Sequence, residues 1–351
     1  MIQKPTRRHQ LVLRSGLVAG ALWLAFTGVA AAATLDDVRA RDRLICGVSE
    51  GLPGFSDRDE AGAWHGFDVD FCRAVAAAVL GDSDKIDYVA LSATDRFEAL
   101  QNGRIDLLSR NSTWTMSRDL GLGIEFTGIA YYDGQSFLAN AVDGMTSALE
   151  LLGARICVVS GTTTEDNAAE YFARNAIDVT FVRYSKRADA RDAYTSGQCD
   201  VFTADRSALA AERSLLANPD DHVILPEVIS KEPLGPVTRE GDAAWTGLVR
   251  WTLYGLINAE ERGLTAAEIA PVAGFALAAA KDIRSEAIKL GKPASQSLDL
   301  PEDWLAVVIG SVGNYREIFD RNLGEDTPLA IGRGINALWT EGGILYAPPM
   351  H

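Results

Sequence analysis

Residues 99–108 read ALQNGRIDLL, and residues 193–202 read AYTSGQCDVF. Aligned without a gap, the two stretches match at three positions, which pair Ala99 with Ala193, Gly103 with Gly197 and Asp106 with Asp200. Each stretch joins the end of a helix-like run to a strand-like apolar run. The repeat therefore predicts two lobes of similar α/β design.

The same order of elements surrounds both copies. Apolar runs predict three strands around each copy, at 43–48, 85–91 and 105–108 and at 155–160, 179–184 and 199–205. In the first copy, one predicted helix stops at Gly81, and the next begins at Thr94 or Asp95 and ends at Gly103. In the second copy, one helix follows the first strand and another ends at Gly197.

A polar stretch, SRNSTWTMSRD at 109–119, directly follows the strand at 105–108. Asn111 lies five residues beyond Asp106, and Asp205 lies five residues beyond Asp200. Both positions fall just past the carboxyl end of a predicted parallel strand, where open α/β sheets bind their ligands. We therefore expect the polar stretch to form one wall of a cleft, with Asp205 on the facing wall.

The residues around this cleft suit a zwitterion. Arg118 has a planar guanidinium that can hold a carboxylate in bidentate fashion, and Thr113 and Asn111 can add hydrogen bonds. The segment SGTTTE (160–165) leaves a strand and opens a helix, where free backbone N–H groups favour an anion. Asp205 supplies a negative charge for an ammonium group. An α-amino acid is the simplest ligand that fits.

Each signal also has a structural interpretation. Arg118 could be a surface residue paired with Asp119, Thr162 and Glu165 could form only a capping box, and Asp205 could only cap the following helix. Two further candidates for the ligand side chain are Arg96 and Arg187, which could instead be solvated charges on helix faces.

The start of the chain predicts export. Four basic residues, an apolar run of 16 residues and AAA ending at Ala33 are typical of a cleavable signal peptide at 1–33, with an uncleaved anchor as the alternative. Its removal takes the net charge from −15 to −19, because this segment has no acidic residue. An acidic surface argues against nucleic acid or an anionic membrane as a partner. Nothing after residue 34 is apolar for long enough to cross a bilayer.

The four cysteines, Cys46, Cys72, Cys157 and Cys199, all lie in the exported part. An even number in an oxidising compartment predicts two disulfides. Two separate lobes would favour Cys46–Cys72 and Cys157–Cys199, although three pairings are possible and four free buried thiols are the alternative.

The sequence gives little support for catalysis. The exported part contains His65, His222 and His351, without an HExxH motif or a recognisable nucleophile motif. It has no Walker motif, and no GxGxxG opens a helix. The sequence therefore predicts no metal, no cofactor and no enzymatic activity.

Several segments resemble the extracellular solute-binding proteins of polar amino acid ABC transporters, which are family 3 solute-binding proteins. These segments are GFDVDFCRAVAAAV, ALQNGRIDLLSRNSTWTMSRD, SGTTTE and GQCDVFTADRSALAAER. The tail, VGNYREIFDRNLG and RGINALWTEGGILYAPP, resembles the general L-amino acid-binding branch, and the resemblance covers nearly all of 34–351.

The resemblance implies an α/β type II periplasmic-binding fold, with two lobes joined by two crossing strands. YYDGQSFLAN (131–140) is similar to the first crossing strand and KEPLGPVTRE (231–240) to the return. We therefore expect a first lobe of 34–138 and 234–351 and a second lobe of 139–233. The tail is expected to be mostly helical over 266–291, with another helix that begins after Pro301 and stops near Gly324.

The resemblance also implies a role for each candidate residue. Arg118 and the Thr113 main chain would hold the ligand's α-carboxylate, together with the Thr163 N–H from the second lobe. Asp205 and the Asn111 carbonyl would hold the α-ammonium group.

Further residues concern the ligand side chain. In relatives that bind acidic amino acids, an arginine at the place of Arg96 meets the side-chain carboxylate. Ser49, Phe97 and Arg187 complete the candidate set. The family often stacks the ligand between aromatic residues. Here Leu52 stands near one of those places and Phe97 near the other, so the resemblance implies either a polar, acidic or amide preference or a broad specificity.

The resulting hypothesis is a periplasmic, monomeric protein that captures L-amino acids and delivers them to an ABC permease in the inner membrane. The alternative is a periplasmic enzyme on the same scaffold, such as a cyclic-acid dehydratase. A sensor would need a transmembrane segment and an output domain, neither of which the sequence contains.

Overall fold

The structure is a computed structural model that describes residue 1, residues 34–269 and residues 277–350, with side chains of the last range described from residue 282. Apart from Met1, the predicted signal peptide lies outside the described residues. Within the described ranges, no helix combines the length and the apolar character needed to cross a membrane. The same residues contain no cluster of His, Cys, Asp and Glu side chains able to hold a metal ion.

The strands alternate with helices through most of the chain. The strands are β1 (Leu44–Ser49), β2 (Asp57–Arg58), β3 (Trp64–His65), β4 (Ile86–Leu91), β5 (Leu107–Leu108), β6 (Ile124–Phe126), β7 (Tyr131–Asp133), β8 (Gln135–Asn140), β9 (Arg155–Val159), β10 (Thr180–Tyr184), β11 (Val201–Asp205), β12 (His222–Ile224), β13 (Glu232–Leu234) and β14 (Val237–Arg239).

The α-helices occupy the connections and the tail. They are α1 (Thr34–Arg41), α2 (Phe67–Leu80), α3 (Arg96–Gln101), α4 (Met116–Gly121), α5 (Thr164–Arg174), α6 (Arg187–Thr195), α7 (Arg206–Ser214), α8 (Ala243–Glu261), α9 (Ala266–Ile269), α10 (Leu277–Leu298), α11 (Trp304–Val312) and α12 (Tyr315–Asn322).

Over the residues that the structure describes, the chain forms two five-stranded sheets of the same design. The first has the order β4-β1-β5-β14-β6 and the second β10-β9-β11-β8-β12. In each, the first three strands are parallel and the fourth is antiparallel to its neighbours. The fourth strand is β14 in the first sheet and β8 in the second. Each of them directly follows a segment that crosses from the other lobe. The prediction of two matched α/β lobes is therefore confirmed.

The matched glycines of the repeat end helices α3 and α6. Gly103 and Gly197 have φ of 71° and 73°, a left-handed conformation that residues with a side chain rarely adopt. The residue after each glycine donates its N–H to the carbonyl of the matched alanine, at 2.9 Å in both copies. Glycine therefore stops each helix and turns the chain into the next strand.

The matched aspartates tie that strand to the first strand of its lobe. Asp106 accepts the N–H of Ile45 at 2.8 Å, and Asp200 accepts the N–H of Arg155 at 2.7 Å. In return, the aspartate N–H donates to the carbonyl of the same residue at 2.8 Å in each lobe. The repeated aspartate is therefore a structural residue. It fixes the alignment of two neighbouring strands at the end of the sheet that faces away from the cleft.

Two short strands link the lobes. β7 and β13 form an antiparallel pair in which Glu232 lies opposite Asp133. The predicted first crossing strand divides at Gly134 into β7 and β8, and the predicted return divides into β13 and β14. This is the two-lobed type II arrangement that the resemblance implies.

The tail packs on the first lobe. The prediction of a single helix over 301–324 was wrong, because α11 ends at Val312 and α12 begins at Tyr315. Gly313 has φ of 84°, and Asn314 caps α12 in a capping box with Glu317. A glycine with positive φ ends α11, and the strong cap that follows it starts a new helix. Residues 270–276, within the first predicted tail helix, lie outside the described residues.

Each lobe contains one disulfide. The structure joins Cys46 to Cys72 in the first lobe and Cys157 to Cys199 in the second. Cys46 lies on β1 and Cys72 on α2, whereas Cys157 lies on β9 and Cys199 just before β11. Each bond therefore joins a central strand to a later element of the same lobe, α2 in the first lobe and the segment before β11 in the second.

Removing the second-lobe bond should reduce stability. The Cys157→Ser/Cys199→Ser variant loses a crosslink across 42 residues, and we expect the free energy of unfolding to fall by about 2–4 kcal/mol. Urea unfolding followed by circular dichroism measures this, with Cys46→Ser/Cys72→Ser, which opens the shorter 26-residue span, as the comparison. An unchanged urea midpoint in the first variant would contradict the expectation.

Candidate functional site

A small cavity lies between the two lobes. One wall consists of the start of α3 and the segment from β5 to α4, and the other of the ends of β9 and β11 with the starts of α5 and α6. The lining residues are Arg96, Arg110, Asn111, Thr113, Arg118, Val159, Thr162, Thr163, Thr164, Arg187, Thr203, Ala204 and Asp205. The carboxyl ends of the central strands of both sheets thus meet at one cavity.

Asp68, in the first turn of α2, holds the polar segment after β5. Its carboxylate accepts the Ser109 hydroxyl at 3.2 Å and the Asn111 N–H at 3.1 Å. Asn111 has φ of 24°, an uncommon conformation that asparagine tolerates better than most residues. Burial raises the pKa of Asp68 to about 7, although both hydrogen bonds oppose that shift. Much of the polar stretch therefore shapes the loop.

Arg118 extends from α4 toward the cavity. Its Nη1 donates to the Thr113 carbonyl oxygen at 2.9 Å, and its guanidinium lies 5.3 Å from the centre of the Phe97 ring. Burial lowers the pKa of Arg118, while the negative charges of Glu232 and Asp205 oppose that change. The structure has no Arg118–Asp119 ion pair among the described residues; Asp119 instead accepts the Phe126 N–H at 3.3 Å.

Arg96 is almost completely buried, with 3% of its surface exposed. Its Nη1 donates to the Ala93 carbonyl at 2.7 Å and its Nη2 to the Gly161 carbonyl of the other lobe at 3.4 Å. The buried Nε has no hydrogen-bond partner among the described residues. The Arg96 guanidinium lies 4.6 Å from the centre of the Phe97 ring, which therefore supports both Arg96 and Arg118.

Positive charge dominates the cavity. Of its four arginines, only Arg187 has an ion pair in the described part of the chain, with Glu212 at 3.8 Å. Burial lowers the pKa of Arg96 far below its usual range, and the charges of Arg110, Arg118 and Arg187 lower it further. Burial also lowers the pKa of Arg110, to about 10. A bound anion would relieve this repulsion.

The start of α5 forms the facing wall. The Thr162 hydroxyl donates to the Val159 carbonyl at 2.6 Å, and the residue that precedes the helix, Thr163, makes no capping bond with its side chain. The alternative of a Thr162–Glu165 capping box is therefore not what the structure contains. The first N–H groups of α5 have no partner within the helix and point along its axis toward the cavity, where they favour an anion.

Asp205 ends β11 at the same wall. It precedes α7, yet its carboxylate makes no capping bond to that helix. Asp133 does this instead, since it accepts the Ser207 N–H at 3.3 Å and also the Ser207 hydroxyl. Burial raises the pKa of Asp205 well above the usual aspartate range, and the nearby charges of Asp133 and Glu232 raise it further. A cation beside Asp205 would therefore be favourable.

Three residues considered from the sequence lie away from the lining. Ser49 ends β1, is buried and donates its N–H to the Ser56 hydroxyl at 3.0 Å. Leu52 is fully buried in the core of the first lobe. Phe97 lies behind the wall, in contact with the two arginines that it supports.

The sequence reasoning missed two charged residues near the cavity. Arg110 belongs to the polar stretch itself, and its position beside Asn111 could have identified it as a cavity residue. Its Nε donates to the Leu91 carbonyl at 2.9 Å. Glu232 lies in the return strand, far from either wall in sequence, and no local pattern marks it. Thr162, Thr164 and Thr203 complete the polar lining.

Comparisons with known proteins agree with this geometry. The profile of the bacterial extracellular solute-binding proteins, family 3, matches residues 44–263. The general L-amino acid-binding periplasmic protein AapJ of Rhizobium johnstonii is 49% identical over 344 residues, which cover 96% of this chain and 98% of that protein.

Two further relatives cover nearly the whole length. The glutamate/glutamine/aspartate/asparagine-binding protein BztA of Rhodobacter capsulatus is 48% identical over 322 residues, or 92% of this chain and 94% of that one. A periplasmic binding protein from Brucella ovis, solved with glutathione bound, is 49% identical and superposes with a TM-score of 0.84, covering 91% of this chain and 100% of that chain. The chain therefore belongs to the family 3 bacterial extracellular solute-binding proteins.

Proposed function

We propose that this protein captures L-amino acids with a second carboxylate, glutamate and aspartate foremost, and delivers them to an ABC permease. It is a solute-binding component of an amino acid ABC transporter, and its relatives AapJ and BztA are amino acid-binding proteins. The enzyme alternative is not favoured, because the proteins similar to nearly all of this chain are amino acid-binding proteins.

The observation that carries the proposal is the pair Arg96 and Arg118. Both guanidinium groups line the cavity, and among the described residues neither has a carboxylate within 4.0 Å. A neutral amino acid would neutralise one of them, while a dicarboxylic one offers an anion to each. Because burial and mutual repulsion lower the pKa of Arg96, the second carboxylate brings the larger electrostatic gain there.

The remaining groups suit the α-amino acid head. Arg118, the Thr113 main chain and the Thr163 N–H would bind the α-carboxylate, and Asp205 with the Asn111 carbonyl would bind the ammonium group. Asp205 carries a raised pKa that an ammonium ion would lower again, so the contact is favourable on both sides. An amide side chain, as in glutamine, fits the same groups with less charge compensation.

Closure follows from the position of these groups. We propose lobes of 34–138 with 234–351 and of 139–233, moving about β7 and β13. A ligand that contacts both walls stabilises the closed arrangement, since it cannot make both sets of contacts when the walls separate. The bond of Arg96 to Gly161 already joins the two walls at 3.4 Å.

The test is a thermal-unfolding panel on mature protein freed of bound ligand, with each L-amino acid added singly. A ligand at 100 times its dissociation constant should add about 2.7 kcal/mol of stability. We expect the largest shifts with glutamate and aspartate and smaller ones with glutamine and asparagine. Equal shifts with most amino acids would replace the acidic preference with broad specificity, and no shift at all would refute amino acid binding.

A second candidate ligand class is γ-glutamyl peptides. The relative from Brucella ovis was solved with glutathione, which carries a free α-amino acid head and a second carboxylate, like glutamate itself. Its net negative charge suits the same arginines. Glutathione belongs in the thermal panel, and a shift larger than that of glutamate would make the peptide the preferred ligand.

We also propose that the chain is exported to the periplasm by the segment 1–33 and works as a monomer. Its relatives AapJ and BztA cover almost the same length, and AapJ is described as periplasmic. Mass determination of the secreted protein, with light scattering after size-exclusion chromatography, tests both statements. A mature chain that begins near residue 34 and elutes as one protomer would agree with them.

A further inference from the structure

Glu232 lies in the crossing strand β13 and is 1% exposed. Its carboxylate accepts four hydrogen bonds. Oε2 accepts the hydroxyls of Thr113 at 2.6 Å and Thr163 at 3.0 Å, and Oε1 accepts the Asn167 amide and the Ser230 hydroxyl, both at 2.6 Å. These four donors satisfy both oxygens of the buried carboxylate in place of water.

The donors come from three different parts of the molecule. Thr113 belongs to the cavity wall of the first lobe, Thr163 and Asn167 belong to the start of α5 in the second lobe, and Ser230 precedes β13 on the same segment. The hydroxyl oxygens of Thr113 and Thr163 are 3.5 Å apart across the cleft and share one carboxylate oxygen. One side chain on a connecting strand therefore joins both walls.

Separation of the two lobes would affect the four hydrogen bonds of Glu232 differently. Thr113 is also fixed to β13 through its backbone, because it forms a bridge to Leu234 and the next N–H, from Trp114, donates to the Pro233 carbonyl at 2.8 Å. Thr113 would therefore stay with Glu232 when the lobes separate. Because β13 is part of the hinge between the lobes, we place the bending point on the second-lobe side of Glu232. Thr163 and Asn167 would then move away with α5, and their bonds to Glu232 would be lost when the lobes separate.

We propose that Glu232 is a positioning residue that stabilises the closed state by binding Thr163 and Asn167 across the hinge. This rests on the proposed function in one respect, since Thr163 is also a proposed donor to the ligand. By fixing the first turn of α5, Glu232 would hold the Thr163 N–H beside Arg118. Glu232 would then contribute part of the free energy that stabilises the closed state, and the ligand would contribute the rest.

The test compares two substitutions that each remove one 2.6 Å bond to the same oxygen. Asn167→Ala removes a bond that crosses the hinge, whereas Ser230→Ala removes one within the crossing segment. We expect Asn167→Ala to raise the glutamate dissociation rate about tenfold, as loss of one charge-assisted hydrogen bond implies, and to increase the radius of gyration without ligand. Ser230→Ala should change the rate by less than about twofold.

Stopped-flow dissociation and small-angle X-ray scattering give the two readouts. A purely structural role for Glu232 would change both variants equally, so equal rates and equal radii of gyration would overturn the proposal. If glutamate does not bind, the amino acid with the largest thermal shift replaces it. If no amino acid binds, the proposed function fails, and the radii of the unliganded variants alone decide the role of Glu232.

Discussion

Replacing Arg118 with alanine is expected to abolish amino acid binding. The ligand's α-carboxylate would lose its main cationic partner and remain buried beside the N–H groups of Thr113 and Thr163. Removing one partner of a buried ion pair costs about 3–5 kcal/mol, which corresponds to a loss of affinity of roughly 10²- to 10³-fold or more. Isothermal titration calorimetry with glutamate measures this loss.

Two further variants serve as controls for the loss of affinity in Arg118→Ala. Arg118→Lys keeps the charge without the bidentate fork, so partial affinity should remain. Arg104→Ala removes an exposed arginine that follows the first repeat glycine, and binding should not change. Unchanged affinity in Arg118→Ala would contradict the assignment of the α-carboxylate site, whatever ligand the thermal panel identifies.

Replacing Asp205 with asparagine should cause the second large loss of amino acid affinity. It should also remove most of the dependence of that affinity on pH. The pKa of Asp205 is raised above its usual range by burial and by Asp133 and Glu232. The neutral form therefore persists to a higher pH than in an ordinary aspartate, whereas the ammonium group of the ligand requires the ionised form. Binding thus releases a proton, and affinity should rise with pH through the raised pKa of Asp205 and then level off.

Calorimetry in two buffers of different ionisation enthalpy detects that proton directly. We expect glutamate affinity in the unmodified protein to increase with pH above the ordinary aspartate range, until Asp205 is ionised. Asp205→Asn should bind roughly 10²-fold or more weakly and show much less dependence on pH, since the titrating charge is gone. Asp220→Asn, at an exposed position, is the control. Constant affinity with no proton release would mean that Asp205 does not meet the ammonium group.

Much of the fold could be predicted because its signals are local. Gly103 and Gly197 stop helices through their own backbone conformation, and Gly81 caps α2 at φ 69° in the same way. Strand and helix periods then give the order of elements. The tail shows the limit of this reasoning: Gly313 and Asn314 are also a local signal, but the stretch from Pro301 to Gly324 was predicted to be one helix.

The candidate site was predictable to the extent that the repeat relates its two walls. Counting five residues beyond Asp106 and Asp200 leads to Asn111 and Asp205, which both line the cavity. No such rule leads to Glu232, which is distant in sequence from Thr113 and Thr163. The same is true of Phe97, whose contact with two guanidinium groups depends on how α3 and α4 pack.

The sequence by itself determined the two-lobed design, the carboxyl ends at which the cleft forms, and the residues able to hold a zwitterion. These follow from backbone preferences and from the parallel order of strands within each lobe. Only the tertiary structure decided how charge is balanced, because pKa shifts depend on burial and on charges that come together in space. Arg96 lacks a carboxylate partner among the described residues and Glu232 has four donors, and both facts arise from the meeting of two lobes that are separate in the chain.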